Sequence, residues 1–152
     1  MSDVASYLQR RRGPILEQAA DGLSRMHALH YERAGTKEVQ QRLGVLFDQL
    51  IGGLTAHDVG PIIVYATRIA EERFEAGYDL SEVQVAFNAL EEAMWRHVVS
   101  VVPADELVEA IGLLSTVLGY GKDALACKYV ALASRSHVRS LDLTALFAGT
   151  NS

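Results

Sequence analysis

The stretch that decides the fold is PIIVYATRIAEERFEAGYDLSEVQVAFNALEEAMWRHVVSVV, residues 61–102, which predicts two amphipathic helices joined by a very short turn. Gly77 follows a run of helix formers and can adopt the left-handed conformation that ends a helix. Asp79 can then cap a new helix, with Glu82 three residues later to complete a capping box. Ser81 offers an alternative cap two residues on. Either cap predicts a tight helical corner.

Three helices are predicted before this stretch. The first covers about residues 2–12 and is broken by Gly13 and Pro14, and Pro14 is well suited to open the next helix. Apolar residues at helical spacing predict an unbroken second helix over 15–34 and a third over 36–57. All three have one apolar face, so we expect them to pack against the corner.

One long helix is predicted after the corner, because Pro103 stops the preceding helix and the apolar spacing resumes over about 105–136. Gly119 and Gly121 interrupt its middle. A glycine inside a helix costs about 1 kcal/mol relative to alanine, so this pair predicts either a kink or the close approach of another helix. Residues 140–152 combine leucines with a polar end and are interpreted as a tail.

The pattern as a whole predicts an all-α protein. The 152 residues are 49% hydrophobic, which is enough for one domain with a sizeable core, and no stretch has strand-like alternation or a fixed repeat. We therefore expect a single globin-like or bundle-like domain of about six helices over residues 1–139, followed by the C-terminal tail at 140–152.

Composition excludes several classes of partner. The net charge of −5 argues against nucleic acid. Cys127 is the single cysteine, which excludes an internal disulfide and suits a reducing compartment. The apolar stretches are interrupted by charges well short of membrane-spanning length, and the N-terminus lacks a secretory signal. We expect a cytoplasmic protein that binds neither nucleic acid nor membrane.

No group of residues predicts catalysis, so we expect no enzyme. Hydrolase and phosphate-binding motifs are missing from the sequence. His27 and His30 are three apart and would share a helix face, but neither has a carboxylate at the spacing that helical metal sites use. His97 falls on an apolar stripe. We expect no metal and no cofactor; haem bound by His97, or a ligand beside His27 and His30, is the alternative.

Apolar surface is the strongest functional signal. The fifth and sixth helices carry apolar bands broader than one contact face needs. Either several neighbouring helices bury them or the second face is a dimer interface, and the short chain favours the dimer. The candidate interface residues are Phe87, Met94, Trp95, Val98, Val117, Tyr120, Leu143, Leu146 and Phe147.

The segment ATRIAEERFEAGYDLSEVQVAFNALEEAMWRHV, residues 66–98, resembles the N-terminal sensory domains of RsbR-type RsbT co-antagonists, proteins of the bacterial stressosome. The matching features are Arg68, Arg73, the Gly77 turn, Val83, Ala86 and Leu90. The resemblance implies a globin-like, usually haem-free helical domain that dimerises and passes a signal. Such domains commonly precede an anti-sigma-factor-antagonist domain; from 152 residues we expect a stand-alone sensory or scaffold subunit instead.

Together these observations predict a non-enzymatic signalling domain. We expect it to act through homodimerisation and contact with a regulatory protein. The alternative is a ligand-binding or haem-binding globin-like sensor, with its site near His97 or near His27 and His30.

Overall fold

The computed structural model describes the backbone of residues 4–149 and the side chains of residues 4–136, and within these limits the chain contains helices and turns but no strand. The all-α prediction is therefore confirmed. The helices are α1 (Val4–Gln9), α2 (Arg12–Arg25), α3 (Leu29–Ala34), α4 (Thr36–Ala56), α5 (Gly60–Glu75), α6 (Leu80–Val101) and α7 (Ala104–Gly149). No helix in the described range is long and apolar enough to cross a bilayer.

The helical corner between α5 and α6 forms as predicted. Gly77 has a φ of 86° and donates its amide to the Phe74 carbonyl at 3.1 Å, while the Tyr78 amide reaches the Arg73 carbonyl at 2.9 Å. These two bonds are the Schellman pattern that satisfies the last carbonyls of a helix. Asp79, the first of the two caps considered, then opens α6 in a capping box with its third helical residue.

The second predicted helix is split in two, which corrects the expectation of one helix over 15–34. The chain leaves the helix at Met26, and His27 adopts a left-handed φ of 54° before α3 begins at Leu29. A distant partner stabilises the new helix start, because the carboxylate of Glu82 accepts the backbone amide of His30 at 2.9 Å. Residues 4–149 therefore contain seven helices rather than the predicted six or so.

The first break also lies elsewhere than predicted. α1 ends at Gln9 and α2 begins at Arg12, so Gly13 and Pro14 belong to the first turn of α2. Proline is tolerated there because the amide it lacks has no intrahelical acceptor in the first turn. The glycine and proline therefore start a helix, and the turn at positions 10 and 11 ends the previous one.

The last helix continues past the predicted end near residue 136 and reaches Gly149. Residues 140–149 are therefore helical in their backbone, and the division into a domain and a tail stays a prediction. Of the two alternatives for the glycine pair, close approach applies at Gly121, where an added Cβ would lie 3.0 Å from Ile62 Cγ1 of α5. Gly119 has open space around its Cα.

The core is built around α6, which packs against α1, α2 and α7. The helix α5 packs along α7. Among the described residues, no charged side chain is buried in the core. The largest fully buried side chains are Phe47, Leu8, Ile15, Leu50, Ile62, Leu90, Met94, Leu114, Leu118, Leu125, Val83 and Val98. Burying a side chain of this size contributes about 1.5–3 kcal/mol, so this cluster is the main source of stability.

Candidate functional site

Four of the predicted interface residues lie in the core of the single chain, which corrects their assignment to a surface. Phe87, Met94, Val98 and Val117 are each less than 5% exposed. The reason is that α1, α2 and α7 together cover both apolar bands of α6. These four side chains are therefore not available to a second molecule.

The remaining interface candidates differ in accessibility. Tyr120 is 50% exposed on α7, and Trp95 is partly buried against the core. Leu143, Leu146 and Phe147 lie outside the residues whose side chains are described. Among the described candidates, Tyr120 is thus the one that presents a large apolar surface to solvent.

Tyr120 opens onto a shallow groove between α5 and α7, which we call the α5–α7 groove. It encloses about 510 Å³ and is open along its length. Its lining residues are Ile63, Thr67, Tyr120, Asp123, Ala124, Cys127, Lys128 and Ala131. Val64 and Val130, next in sequence to two of these residues, are 69% and 59% exposed. This combination of an exposed aromatic ring, valines and alanines is typical of a contact surface.

The polar side chains of the α5–α7 groove carry both signs of charge. Asp123 accepts a weak hydrogen bond from Cys127 Sγ at 4.0 Å, one turn away on α7. Lys128 is held by Glu71 of α5, with Nζ 3.3 Å from a carboxylate oxygen. The groove therefore has an acidic end and a basic end about five residues apart on one helix.

A second cluster surrounds Tyr78 at the helical corner. His30 stacks on the Tyr78 ring at 4.6 Å, and Tyr31 meets it edge-on at 5.1 Å. The Arg42 guanidinium donates a 2.7 Å hydrogen bond to the Tyr78 hydroxyl, and the Arg73 guanidinium lies 5.5 Å from the ring centre. We call these five residues the corner cluster. They join α3, α4 and α5 to the turn.

Tyr129 connects the corner cluster to α7. Its hydroxyl donates a 3.1 Å hydrogen bond to the backbone carbonyl of Tyr78, and its ring contacts Phe74 edge-on at 5.8 Å. Burial raises the pKa of Tyr129 to about 12, so the phenol stays protonated and remains a donor at physiological pH. The hydroxyl thus acts as a fixed link between α7 and the corner.

Glu82 provides a further link, between α6 and α3. Its side chain is 11% exposed and accepts three hydrogen bonds: from the His30 amide at 2.9 Å, from His30 Nδ1 at 2.7 Å and from the Asp79 amide at 3.0 Å. Burial of the carboxylate raises its pKa, but the hydrogen bonds from His30 and Asp79 outweigh burial and leave the pKa of Glu82 below its usual value.

The corner cluster contains no nucleophile with an adjacent base, and the hydrogen bond from Arg42 to the Tyr78 hydroxyl joins α4 to the turn. Its chemistry is therefore that of a structural joint. Sequence reasoning found Gly77, Asp79 and Glu82 because their roles are local. It missed Arg42 and Tyr129, whose partner Tyr78 lies 36 and 51 residues away. The sequence contains eleven arginines and six tyrosines, but composition does not identify which of them pair.

The histidines do not converge on one site. The left-handed turn at His27 separates it from the helix that carries His30, so the expectation that they share a helix face is wrong. His27 pairs with Glu32 at 3.1 Å, whereas His30 pairs with Glu82. Across the described residues, no three histidine, cysteine or acidic side chains are grouped as metal ligands.

His97 lies on α6, a different helix from the one that carries His30. Its side chain is half-buried, and its Nδ1 atom is shielded from solvent without a hydrogen-bond partner among the described residues. Burial lowers the pKa of His97, and the positive charge of Arg11 lowers it further. The imidazole is therefore neutral at physiological pH.

A known protein family matches most of the chain. The family described as RsbT co-antagonist protein rsbRD N-terminal domain matches residues 15–140. The matched region runs from the start of α2 through most of α7, and so contains both the corner cluster and the α5–α7 groove. No curated protein matches the chain.

Proposed function

We propose, from the premise that this chain belongs to the family of RsbT co-antagonist N-terminal domains, that it is a non-enzymatic signalling domain that acts through homodimerisation and contact with a regulatory protein. The observation that carries the proposal is the exposed apolar surface along α5 and α7. Tyr120 lines the groove, and Val64 and Val130 are exposed next to two of its lining residues in sequence, so a partner packed here would bury apolar area that the single chain leaves in water.

The α5–α7 groove suits a second copy of the same chain. A two-fold dimer brings one patch against itself, so the patch must be complementary to its own rotated image. Asp123 and Lys128 lie five residues apart on α7, so an antiparallel crossing of two α7 helices would bring each aspartate near the other copy's lysine, where it would share that lysine with Glu71. Tyr120 then enters the partner's groove as the aromatic anchor.

Close approach of the two helices is supported by the small side chains along the groove. Ala124 and Ala131 line it, and their methyl groups let the backbone of a neighbouring helix approach more closely than longer side chains would.

The proposed role needs neither catalysis nor a resident cofactor, and it places the domain in the cytoplasm, where the thiol of Cys127 stays reduced. The net charge of −5 supports a protein partner over a nucleic acid.

Absorption spectroscopy of protein purified from haem-supplemented cells tests the proposal that the domain has no resident cofactor. We expect no Soret band, and a stoichiometric band would make the domain a haem sensor.

The single cysteine allows a direct test of the dimer. Cys127 lies in the groove and is exposed, so a short bismaleimide should give a covalent dimer that can only be linked through this residue. Sedimentation velocity at micromolar concentration should show a dimer for the natural chain. Tyr120→Glu should give a monomer, whereas Val45→Glu, a matched change at an exposed valine on α4, should leave the dimer intact.

The outcomes separate cleanly. A natural chain that stays monomeric overturns the homodimer. A dimer that both variants retain, with no crosslink through Cys127, places the interface elsewhere on the molecule and overturns the groove assignment. Far-UV circular dichroism of each variant establishes that the helices are intact.

A further inference from the structure

A cavity of about 220 Å³ lies beneath the short helix α3, and we call it the α3 pocket. It is bounded by α2 on one side and by the start of α4 on the other. Its lining residues are Ala20, Leu23, Ser24, Ala28, Tyr31, Glu32, Gly35, Thr36 and Val39. Neither the α5–α7 groove nor the proposed dimer uses any of these residues.

The α3 pocket has an apolar floor and a polar rim. The five floor residues are each less than 9% exposed and are Ala20, Leu23, Ala28, Tyr31 and Val39. Ser24, Glu32 and Thr36 are exposed and surround the opening. Among the nine lining residues, Glu32 is the one with a formal charge. This is the arrangement of a small-molecule site, in which apolar walls supply contact area and a few polar groups fix orientation.

The helix that covers the pocket is bracketed by two left-handed residues. His27 has a φ of 54° just before α3, and Gly35 has a φ of 89° just after it. A non-glycine residue in this region costs about 1–2 kcal/mol, which the surrounding structure must supply. His27 carries this cost and Gly35 does not, while His30 and Tyr31 hold α3 in place through Glu82 and Tyr78, so the α3 pocket is a pre-formed feature of the fold.

The size and the polarity of the pocket define the ligand. An apolar cavity of about 150 Å³ is enough for benzene, so the α3 pocket accommodates one ring with a short substituent. The rim offers hydrogen-bond acceptors: the carboxylate of Glu32 and the hydroxyl oxygens of Ser24 and Thr36. His27 Nδ1 lies 3.1 Å from Glu32 Oε1, which leaves Oε2 available to accept a further hydrogen bond.

We propose that the α3 pocket binds a single-ring molecule with an apolar body and one hydrogen-bond-donating head group, either an amine or a hydroxyl. The ring lies against the five floor residues, and the head group donates to Glu32 at the rim. A carboxylate head is disfavoured, because it would meet the like charge of Glu32, the one formal charge among the lining residues, and because the Ser24 hydroxyl already donates to the Asp21 carbonyl at 3.1 Å.

Titration of the full chain with three matched probes tests this site. The probes are phenethylamine, phenethyl alcohol and 3-phenylpropionate, followed by amide chemical shifts in ¹⁵N-labelled protein. We expect saturable shifts in residues 20–39 with the amine or the alcohol, and no saturation with the acid at the same concentrations. Tighter binding of the amine assigns a charged head group, and tighter binding of the alcohol assigns a neutral one.

Two variants separate the site from nonspecific binding. Glu32→Gln alters an exposed side chain and should weaken amine binding about tenfold, because a charge-assisted hydrogen bond is replaced by a neutral one. Glu75→Gln, an exposed acid at the end of α5, is the matched control and should bind as the natural chain does. Ala20→Leu fills the floor and should abolish binding of both accepted probes.

The proposal is overturned if the acid binds as well as the amine, or if Glu32→Gln and Glu75→Gln have equal effects. The proposal is also overturned if none of the three probes saturates its chemical-shift changes at about 10 mM, a concentration at which weak binding of single-ring ligands is still measurable. Should Ala20→Leu fail to fold, the Glu32→Gln comparison carries the decision alone. None of these results bears on whether the chain dimerises.

Discussion

Replacement of Glu82 by glutamine tests the link between α3 and the helical corner. The carboxylate accepts bonds from two backbone amides and one imidazole, from His30 and Asp79, at 2.7–3.0 Å. Glutamine keeps the shape of the side chain but removes its charge, and one of its two terminal atoms becomes a donor. The new amide NH₂ therefore points at an N–H donor that the carboxylate oxygen could accept, and that hydrogen bond is lost.

The expected loss follows from these three bonds. A hydrogen bond to a charged group contributes about 1.5–3 kcal/mol and a neutral one about 0.5–1.5 kcal/mol, so each retained bond weakens by about 1 kcal/mol. The glutamine is easier to bury than the carboxylate, which returns part of this loss. We expect Glu82→Gln to lower the free energy of unfolding by about 2 kcal/mol, equivalent to about 4–8 °C in Tm for a chain of this length.

The pH dependence supplies a second readout with a definite sign. Because the folded protein holds the pKa of Glu82 below its usual value, the ionised form stabilises the fold at neutral pH. That contribution is complete above the unfolded-state pKa of about 4.3 and is lost as the pH falls through the lower folded-state pKa. The difference between the natural chain and Glu82→Gln should therefore be largest near pH 7 and shrink below about pH 4.

Urea denaturation followed by circular dichroism, at pH 7 and at a series of lower pH values, measures both effects. Glu92→Gln is the matched control, since Glu92 forms an exposed pair with Arg96 and should contribute about 0–0.5 kcal/mol. Equal losses for the two variants at pH 7 would refute the reasoning. A difference that does not narrow in acid would show that the charge of Glu82 is not what the fold uses.

Two further predictions concern α7 and α6. Gly119→Ala should stabilise the chain by about 0.5–1 kcal/mol through helix propensity, whereas Gly121→Ala should give no gain, because its Cβ would lie 3.0 Å from Ile62 Cγ1. Urea denaturation compares the two, and equal stabilisation would contradict the close approach of α5 to α7. His97→Gln should reduce the loss of stability between pH 7.5 and pH 5. Burial and Arg11 lower the pKa of His97 in the folded chain. The unfolded chain therefore binds this proton at a higher pH than the folded chain does, and the fold loses stability as the pH falls. Unfolding at both pH values measures this, and an unchanged pH dependence would show that His97 titrates alike in the folded and unfolded chains.

The parts of the fold that the sequence predicts are those with local causes. The Gly77 stop and the Asp79 start use residues within a few positions of one another, so their patterns can be read directly. The break at His27 cannot be read in this way. The amide that opens the new helix is satisfied by Glu82, which lies 52 residues further along the chain.

The surface residues were harder to predict for a related reason. Helical spacing identifies apolar faces but not what covers them, and Met94 and Val98 differ from Tyr120 only in the helices that pack on them. The sequence of α6 is compatible with either core or interface. Only the arrangement of α1, α2 and α7 around it decides that Met94 is internal.

The uninterrupted course of α7 from Ala104 to Gly149 has a mechanical consequence. Its 46 residues form a rod about 69 Å long, in which each residue advances the azimuth by about 100°. The far end therefore has a rotational phase set by residue count. Inserting one residue after position 136 would turn everything beyond it by about 100°, whereas inserting seven would restore the phase to within about 20°. A rotation of α7 where it packs on α5 and α6 would therefore turn the residues at its far end toward a different side.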